Sequence, residues 1–349
     1  MLQPPSTPYL IRPGVPALVL APMEGVTDAP MRAVMTEYAP FTFCVSEFLR
    51  ISQDVPGSRA YVDHVPELAS KSVTPTGKPV QIQLLGGDPE KMAIAALRAC
   101  ELGSLGVDIN FGCPAPTVNR HDGGATLLKF PDRIRTIVSA IRKAVPGHLP
   151  VSAKLRLGWD DIQAIHLNAE RAAEGGASWI TIHGRTRMAG YRPPIFWQPI
   201  GEVRARLASG GVPVVANGDI WSIDDFRICR EQSGSEHFML GRGALANPLL
   251  PYAVARELGL STVVSAAPKL TRISNEEWIP LLKRFSALSS IYTEGTAGHH
   301  HTKKNRNYVV CRIKQWLKMA YLHGSLPCFD DIKKVETEAE IFEILARSS

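Results

Sequence analysis

The sequence predicts an α/β protein, a (β/α)8 TIM barrel followed by a small C-terminal helical domain. Eight short apolar runs rich in β-branched residues alternate with segments of helical spacing, and after Pro248 only helical spacing remains. Strands that alternate with helices join through right-handed parallel crossovers, and eight of them close into a barrel of about 250 residues. We therefore expect an N-terminal extension at residues 1–14, a barrel at 15–249 and a helical domain at 250–349.

The elements follow one another in a regular order. The predicted strands are residues 17–23, 41–48, 80–85, 107–110, 151–157, 179–183, 212–216 and 237–240. Helical spacing is clearest over residues 89–102, 131–144, 164–174 and 222–232 in the barrel, and over 275–294, 308–323 and 335–347 in the helical domain.

Composition narrows the class of protein. The chain has 349 residues, 45% of them hydrophobic and 21% charged, with no apolar run as long as the roughly 18 residues of a membrane span. The first residues lack the order of a signal peptide, so we expect a cytoplasmic protein with no membrane partner. Its six cysteines have no C-x-x-C spacing, which predicts neither a disulfide framework nor a metal site.

A basic segment occurs late in the chain. Residues 303–318 contain six Lys or Arg residues and no acidic residue, next to three histidines at 299–301. Such a segment favours binding to a polyanion such as a nucleic acid, although a solvated helix face has a similar composition. Tyr308 and Trp316 within it suit stacking on bases, and Trp316 suits core packing equally well.

The fourth predicted strand carries the most informative motif. It ends at Asn110, and a Gly-Cys-Pro turn then presents Cys113. A glycine pair at residues 123–124 is expected to open a helix whose backbone N–H groups face the same ligand. Most free cysteines are buried structural thiols. The location at the C-terminal end of a barrel strand, where active sites lie, favours a chemical role for Cys113.

Polar side chains occur at almost every other strand end. Charged and amide groups in apolar strands are costly unless they are paired or bind a ligand, so we expect them to form one site. The loops at residues 217–219 and 241–243 follow the last two strands, where these barrels commonly bind phosphate. Lys154 and His183 would lie near the centre, where a cation can stabilise a reduced flavin ring.

These motifs together resemble those of the tRNA-dihydrouridine synthases. The similar segments are Ala-Pro-Met-Glu-Gly-Val-Thr-Asp from residue 21, Gln-Leu-Leu-Gly from 83, Asn-Phe-Gly-Cys-Pro from 110, Lys-Leu-Arg-Leu-Gly-Trp from 154, His-Gly-Arg-Thr from 183, Ala-Asn-Gly-Asp-Ile from 216 and Gly-Arg-Gly from 241. Segments 46–50, 190–192 and 312–317 most resemble the C subgroup, whose target is the uridine at position 16 of the tRNA D-loop.

The resemblance implies an FMN enzyme that takes hydride from NADPH and reduces the C5–C6 double bond of a uridine in tRNA. Hydride would pass from FMN N5 to C6, and Cys113 matches the general acid that protonates C5. The positions that match cofactor-binding residues are Pro22, Met23, Glu24, Gln83, Lys154, His183, Asn217, Gly218, Asp219, Gly241 and Arg242. The positions that match tRNA contacts are Arg50, Asn110, Arg156, Tyr191, Arg312, Lys314 and Gln315. We expect a monomer with no protein partner.

Three other hypotheses remain open from the residues themselves. The first is a flavin barrel that acts on a free pyrimidine, as the dihydroorotate dehydrogenases do. The second is a Schiff-base aldolase that uses Lys154. The third is an RNA-binding protein on a barrel that has lost its activity, against which the presence of Cys113, Lys154 and His183 argues.

Overall fold

The eight predicted strands form one closed parallel barrel in chain order. The computed structural model describes residues 10–12, 14–119, 122–260, 272–295, 308–323 and 326–348. The strands are β1 Ala17–Leu20, β2 Phe43–Arg50, β3 Val80–Leu85, β4 Val107–Asn110, β5 Val151–Arg156, β6 Ile180–His183, β7 Val214–Asn217 and β8 His237–Leu240. Because β1 pairs in parallel with both β2 and β8, the sheet has no free edge. The predicted fold class is confirmed.

Helices surround the barrel and make up the C-terminal part. They are α1 Ala29–Tyr38, α2 Ser58–His64, α3 Pro89–Glu101, α4 Pro116–Asn119, α5 Pro131–Ala144, α6 Ala164–Glu174, α7 Gln198–Leu207, α8 Ile223–Ser233, α9 Arg242–Ala246, α10 Leu250–Glu257, α11 Asn275–Gly295, α12 Tyr308–Leu322, α13 Phe329–Ile332 and α14 Glu338–Arg347. Short 3-10 helices occupy Pro66–Ser70, Gly124–Lys129 and Ala208–Gly210.

Several predicted boundaries differ from the observed ones for local reasons. β1 ends at Leu20, because the Met23 carbonyl accepts hydrogen bonds from the N–H groups of Val26 and Thr27 and turns the chain. The glycine pair opens a helix as expected, and this is a six-residue 3-10 helix that begins at Gly124. α14 begins three residues late, because Thr337 caps it in a reciprocal capping box with Glu340.

The C-terminal helices pack against the barrel, with α11 against α1 and α12 against α9. Trp316 is 1% exposed and lies edge-on to Trp278 and Phe285, with ring centroids 5.5 and 5.7 Å away. Its indole N–H donates to the Leu245 carbonyl at 3.0 Å. Trp316 is therefore a core residue that joins the helical part to the barrel.

Some predicted features fall outside the described residues. These are the three histidines at 299–301, the basic residues Lys303, Lys304 and Arg306, and most of the N-terminal extension. In the part of the chain that the structure does describe, no helix combines the length and apolar character needed to cross a bilayer.

Candidate active site

The C-terminal strand ends and the loops that follow them enclose one cavity of about 550 Å³. It is lined by all eleven predicted cofactor residues, Pro22, Met23, Glu24, Gln83, Lys154, His183, Asn217, Gly218, Asp219, Gly241 and Arg242. Cys113 and three predicted substrate residues, Asn110, Arg156 and Tyr191, line the same cavity. Residues from distant parts of the sequence therefore meet at one place, because a parallel barrel brings all its strand ends to one face.

A hydrogen-bonded turn holds Cys113 at the cavity wall. The Asn110 side chain accepts hydrogen bonds through Oδ1 from the backbone N–H groups of Gly112 and Cys113, at 2.9 and 2.8 Å. Arg156 supports the same turn, since its Nε donates to the Gly112 carbonyl at 2.8 Å. The half-buried thiol is thus fixed by the end of its own strand and by the neighbouring strand β5.

The Cys113 thiol keeps its proton. Burial raises its pKa most, and the nearby Glu24 carboxylate also raises it. A hydrogen bond with the Ala115 backbone and the positive charges of Arg156 and Arg50 lower it, but by less than burial raises it. The pKa of Glu24 is itself raised to about 7, by desolvation and by the Glu47 carboxylate. A protonated thiol is suited to act as an acid and not as a nucleophile.

Lys154 is the cation at the centre of the cavity. Its Nζ donates to Asn217 Oδ1 at 3.0 Å, and the Asn217 amide in turn donates to the Met239 carbonyl at 2.8 Å. Burial, together with the charge of Arg156, lowers the pKa of Lys154 to about 8, so the ammonium form still predominates at pH 7.

His183 is not a second cation. Burial and the neighbouring cations, Arg156 and Lys154 first, hold its pKa well below the usual 6.5, so the imidazole is neutral. Its buried Nδ1 has no hydrogen-bond partner in the described part of the chain. A neutral ring with one uncommitted nitrogen in a cavity can accept or donate one hydrogen bond to a ligand.

The loops after β7 and β8 are closely packed and bring two arginines to one carboxylate. A Cβ atom on Gly218 would lie 2.6 Å from the Ile195 side chain, and one on Gly243 would lie 1.9 Å from the Ile220 carbonyl. Only glycine therefore allows these backbones to approach so closely. Asp219 has a φ of 45° and accepts from Arg242 at 2.7 Å and from the buried Arg185.

These residues fit FMN. The cavity offers a guanidinium group and glycine-bounded backbone for a phosphate, with Lys154 and the uncommitted His183 Nδ1 for a ring system.

A stack of cationic and aromatic side chains forms the cavity rim. The Arg242 guanidinium lies over Tyr191 and Trp221, 4.5 and 5.0 Å from the ring centroids, and Trp221 is stacked on His323 at the end of α12. Sequence reasoning missed Trp221, although it directly follows the Asn-Gly-Asp-Ile motif. It also missed Met319 of α12, whose place in the cavity depends on tertiary packing alone.

The other four predicted substrate residues lie outside the cavity lining. Arg312 is 8% exposed and donates to the carbonyls of Gly25 and Val26 and to Asp28, and Gln315 also donates to Gly25. Lys314 instead contacts the carbonyls of Lys333 and Val335, away from the cavity loop. Arg50 ends β2, close enough to Cys113 for its charge to act on the thiol.

The sequence is similar to a known protein family along most of its length. A family profile described as dihydrouridine synthase (Dus) matches residues 19–316. The tRNA-dihydrouridine(16) synthase of Shewanella oneidensis is 39% identical over 335 residues, covering 95% of this chain and 98% of that protein. The protein of the same name from Haemophilus influenzae is 39% identical over 329 residues, covering 93% and 97%.

A solved structure supports the fold alone. Histamine dehydrogenase from Rhizobium sp. 4-9 superposes with a TM-score of 0.51 at 12% identity, covering 78% of this chain and 49% of that one. The profile and the two relatives each span most of the sequence, so the similarity includes the barrel, the cavity and the C-terminal helices. The chain therefore belongs to the dihydrouridine synthase family.

Proposed function

We propose that this protein reduces one uridine of tRNA to 5,6-dihydrouridine, with FMN as the bound cofactor and NADPH as its reductant. The uridine is that at position 16, as in the names of the similar proteins. The observation that carries the proposal is the single cavity in which a protonated thiol, a central ammonium group and a glycine-rich basic loop face one another. We further propose that it acts as a cytoplasmic monomer.

The cofactor supplies hydride for C6 of the uracil ring when it is bound. Addition of hydride to C6 leaves negative charge at C5 and O4, and the Cys113 thiol transfers its proton to C5. The raised pKa of Cys113 keeps that proton available at neutral pH. Asn110 and Arg156 hold the turn that carries the thiol and line the cavity beside it, where they contact the base.

The uridine must leave the folded tRNA to enter the cavity. Extrusion of a base costs a few kcal/mol. Contacts of the surrounding basic residues with tRNA phosphates offset that cost. Tyr191, which is 55% exposed at the rim and lies beside Arg242 and Arg156, offers a face on which the entering base stacks.

The test is a spectral titration in one anaerobic cuvette. The protein reconstituted with FMN is expected to show a flavin band that NADPH bleaches and that unmodified tRNA restores, with no recovery on addition of free uridine. Mapping of dihydrouridine in the product then identifies the position. Recovery on free uridine or another free pyrimidine would instead favour the dihydroorotate dehydrogenase type of reaction.

The aldolase hypothesis has a different signature. An aldolase would bind no flavin and would be inactivated by borohydride in the presence of a carbonyl substrate, through an imine at Lys154. Absence of flavin binding together with retained tRNA binding would favour a non-enzymatic RNA-binding protein.

A further inference from the structure

A buried carboxylate lies beneath the cavity without lining it. Asp108 of β4 is 2% exposed and accepts hydrogen bonds from Gln83 Nε2 at 2.7 Å and from Ser152 Oγ at 2.5 Å. The three residues are cross-strand neighbours, because Gln83 pairs with Asp108 in the β3–β4 register and Asp108 with Ser152 in the β4–β5 register. The carboxylate therefore joins three strands at one level of the barrel.

The direction of the hydrogen bonds continues from Asp108 to the backbone N–H of Cys113. The Asp108 oxygen that faces Gln83 can only accept a hydrogen bond. The Gln83 amide must therefore turn its NH₂ group towards Asp108 and its Oε1 towards Asn110. Asn110 Nδ2 donates to that Oε1 at 2.8 Å. This bond leaves Asn110 Oδ1 to accept the backbone N–H groups of Gly112 and Cys113.

Only one assignment of donors and acceptors is consistent along this chain of hydrogen bonds. A reversed Gln83 amide would place its NH₂ group against the NH₂ group of Asn110, and the Asn110 carbonyl would then lose its place under the Cys113 turn. Protonation of Asp108 on the Ser152 side leaves this assignment unchanged, because the oxygen towards Gln83 still accepts. Arg156 holds the turn from the other side but contacts no side chain of this network.

We infer that Asp108 is a positioning residue, which orients the Gln83 and Asn110 amides so that Cys113 is held in place for proton transfer. The inference rests on the proposed function for its role in catalysis. The positioning itself is a property of the protein without cofactor or tRNA. Gln83, Asn110 and Cys113 correspond to the proposed cofactor, base and acid positions, so one buried carboxylate aligns all three.

The test compares Asp108→Ala, which has no acceptor, with Asp108→Asn, which keeps an oxygen for Gln83 while its NH₂ group faces Ser152. Iodoacetamide alkylation of Cys113 in the apo-protein, followed by mass spectrometry of its peptide, reports how firmly the turn is held. We expect alkylation to be about fivefold faster in Asp108→Ala, the factor that corresponds to one net hydrogen bond. Asp108→Asn and Ser152→Ala should stay within about twofold of the wild type, since each retains the acceptor for Gln83.

Turnover should follow the same pattern. In the holoenzyme, Asp108→Ala should lower kcat for tRNA by about 100-fold with little change in KM, because the acid is misplaced after the substrate is bound. Asp108→Asn should rescue most of that loss.

Two outcomes would overturn the inference. One is equal alkylation rates in Asp108→Ala, Asp108→Asn and the wild type, and the other is equal impairment of the alanine and asparagine variants. If Asp108→Ala does not fold, Gln83→Met breaks the same chain one step nearer the thiol, and the apo-protein must then show the faster alkylation. Because alkylation needs neither FMN nor tRNA, its result is independent of whether the uridine reduction occurs.

Discussion

Single side chains in the cavity have their protonation states set by burial and by their neighbours. Cys113 keeps its proton, His183 stays neutral, and Lys154 is the cation whose pKa lies nearest to working pH. A cavity that holds one acid and one central cation can supply a proton to one atom of a ligand and stabilise negative charge on another.

The thiol of Cys113 gives the first prediction. Cys113→Ala removes the proton donor, so tRNA-dependent reoxidation of the reduced flavin should slow by about 10²- to 10⁴-fold, while flavin reduction by NADPH stays unchanged. Stopped-flow absorbance measures the two half-reactions separately. Cys100→Ser is the matched control, because this half-buried thiol lies near the C-terminal end of α3, away from the cavity. Equal rates of reoxidation in Cys113→Ala and the wild type would rule out the acid role.

The ammonium group of Lys154 gives a prediction about pH. Because its pKa is about 8, the cation is lost above that pH, and the affinity for reduced FMN should fall by up to about tenfold per pH unit between pH 8 and 9.5. Lys154→Arg stays charged and should bind with no such slope, and Lys154→Met should bind weakly at every pH. Anaerobic fluorescence titration gives the affinities. The same slope in Lys154→Met would assign the titration to another group.

In the protein without cofactor, the titration of Lys154 makes the folded state more stable as the pH rises. This is opposite in sign to its expected effect on cofactor affinity. Folding lowers the pKa of Lys154 from its ordinary 10.5, so the unfolded chain binds more protons than the folded one between pH 8 and 10.5. Its contribution to the free energy of unfolding therefore rises with pH in this range. A fall in cofactor affinity over the same range cannot then come from loss of folding through this residue.

At the scale of elements, α12 is tied to the loop that follows β1. Arg312 donates to Val26 and Asp28 at 2.7 and 2.8 Å, across more than 280 residues of sequence, and Gln315 donates to Gly25. The same loop contributes Pro22, Met23 and Glu24 to the cavity. Helix α12 thus supports the wall of the cavity that this loop forms.

This contact predicts that Arg312→Gln weakens FMN binding in the absence of tRNA. Loss of several charge-assisted hydrogen bonds should loosen the loop and raise the Kd for FMN by on the order of tenfold. Fluorescence titration of the apo-protein measures it. Lys318→Gln, an exposed residue on the same helix, should leave this Kd unchanged. If Arg312→Gln altered only the KM for tRNA, the residue would act on the substrate and not on the loop.

The limits of sequence reasoning are clearest at this scale. Alternating strand and helix patterns determine a parallel barrel, and a parallel barrel gathers its strand ends, so the part of the cavity lining that lies at strand ends followed from chain order. The positions of Trp221 and Met319 in the lining did not. The sequence did not predict which side of α12 carries Arg312 and Trp316 against the barrel, because the partners of these residues lie far away in sequence. Basic residues of α12 suggested an RNA surface, yet Arg312 is buried against carbonyl groups, since only packing decides which side of a helix meets the barrel.

At the scale of the whole molecule, the net charge is +6, and exposed lysines occur on both faces of the barrel. Lys318 is exposed on α12 next to Met319, which lines the cavity. Lys143 is exposed in the last turn of α5, which leads back to the start of β5 on the opposite face. A tRNA whose uridine enters the cavity must meet the first face and not the second.

The positions of Lys318 and Lys143 lead to a prediction about how salt and charge reversal affect the KM for tRNA. KM for tRNA should rise steeply with added salt, with a slope of log affinity against log salt of about −0.7 to −0.9 per phosphate contacted, while NADPH-dependent flavin reduction changes little.

Lys318→Glu should raise KM for tRNA by about tenfold or more at 100 mM salt and make the salt slope shallower. Lys143→Glu makes the same charge change on the far face and should leave both KM and slope near those of the wild type. Steady-state kinetics at four salt concentrations measure all three proteins, and equal effects of the two substitutions would mean that net charge, and not the cavity face, attracts the tRNA.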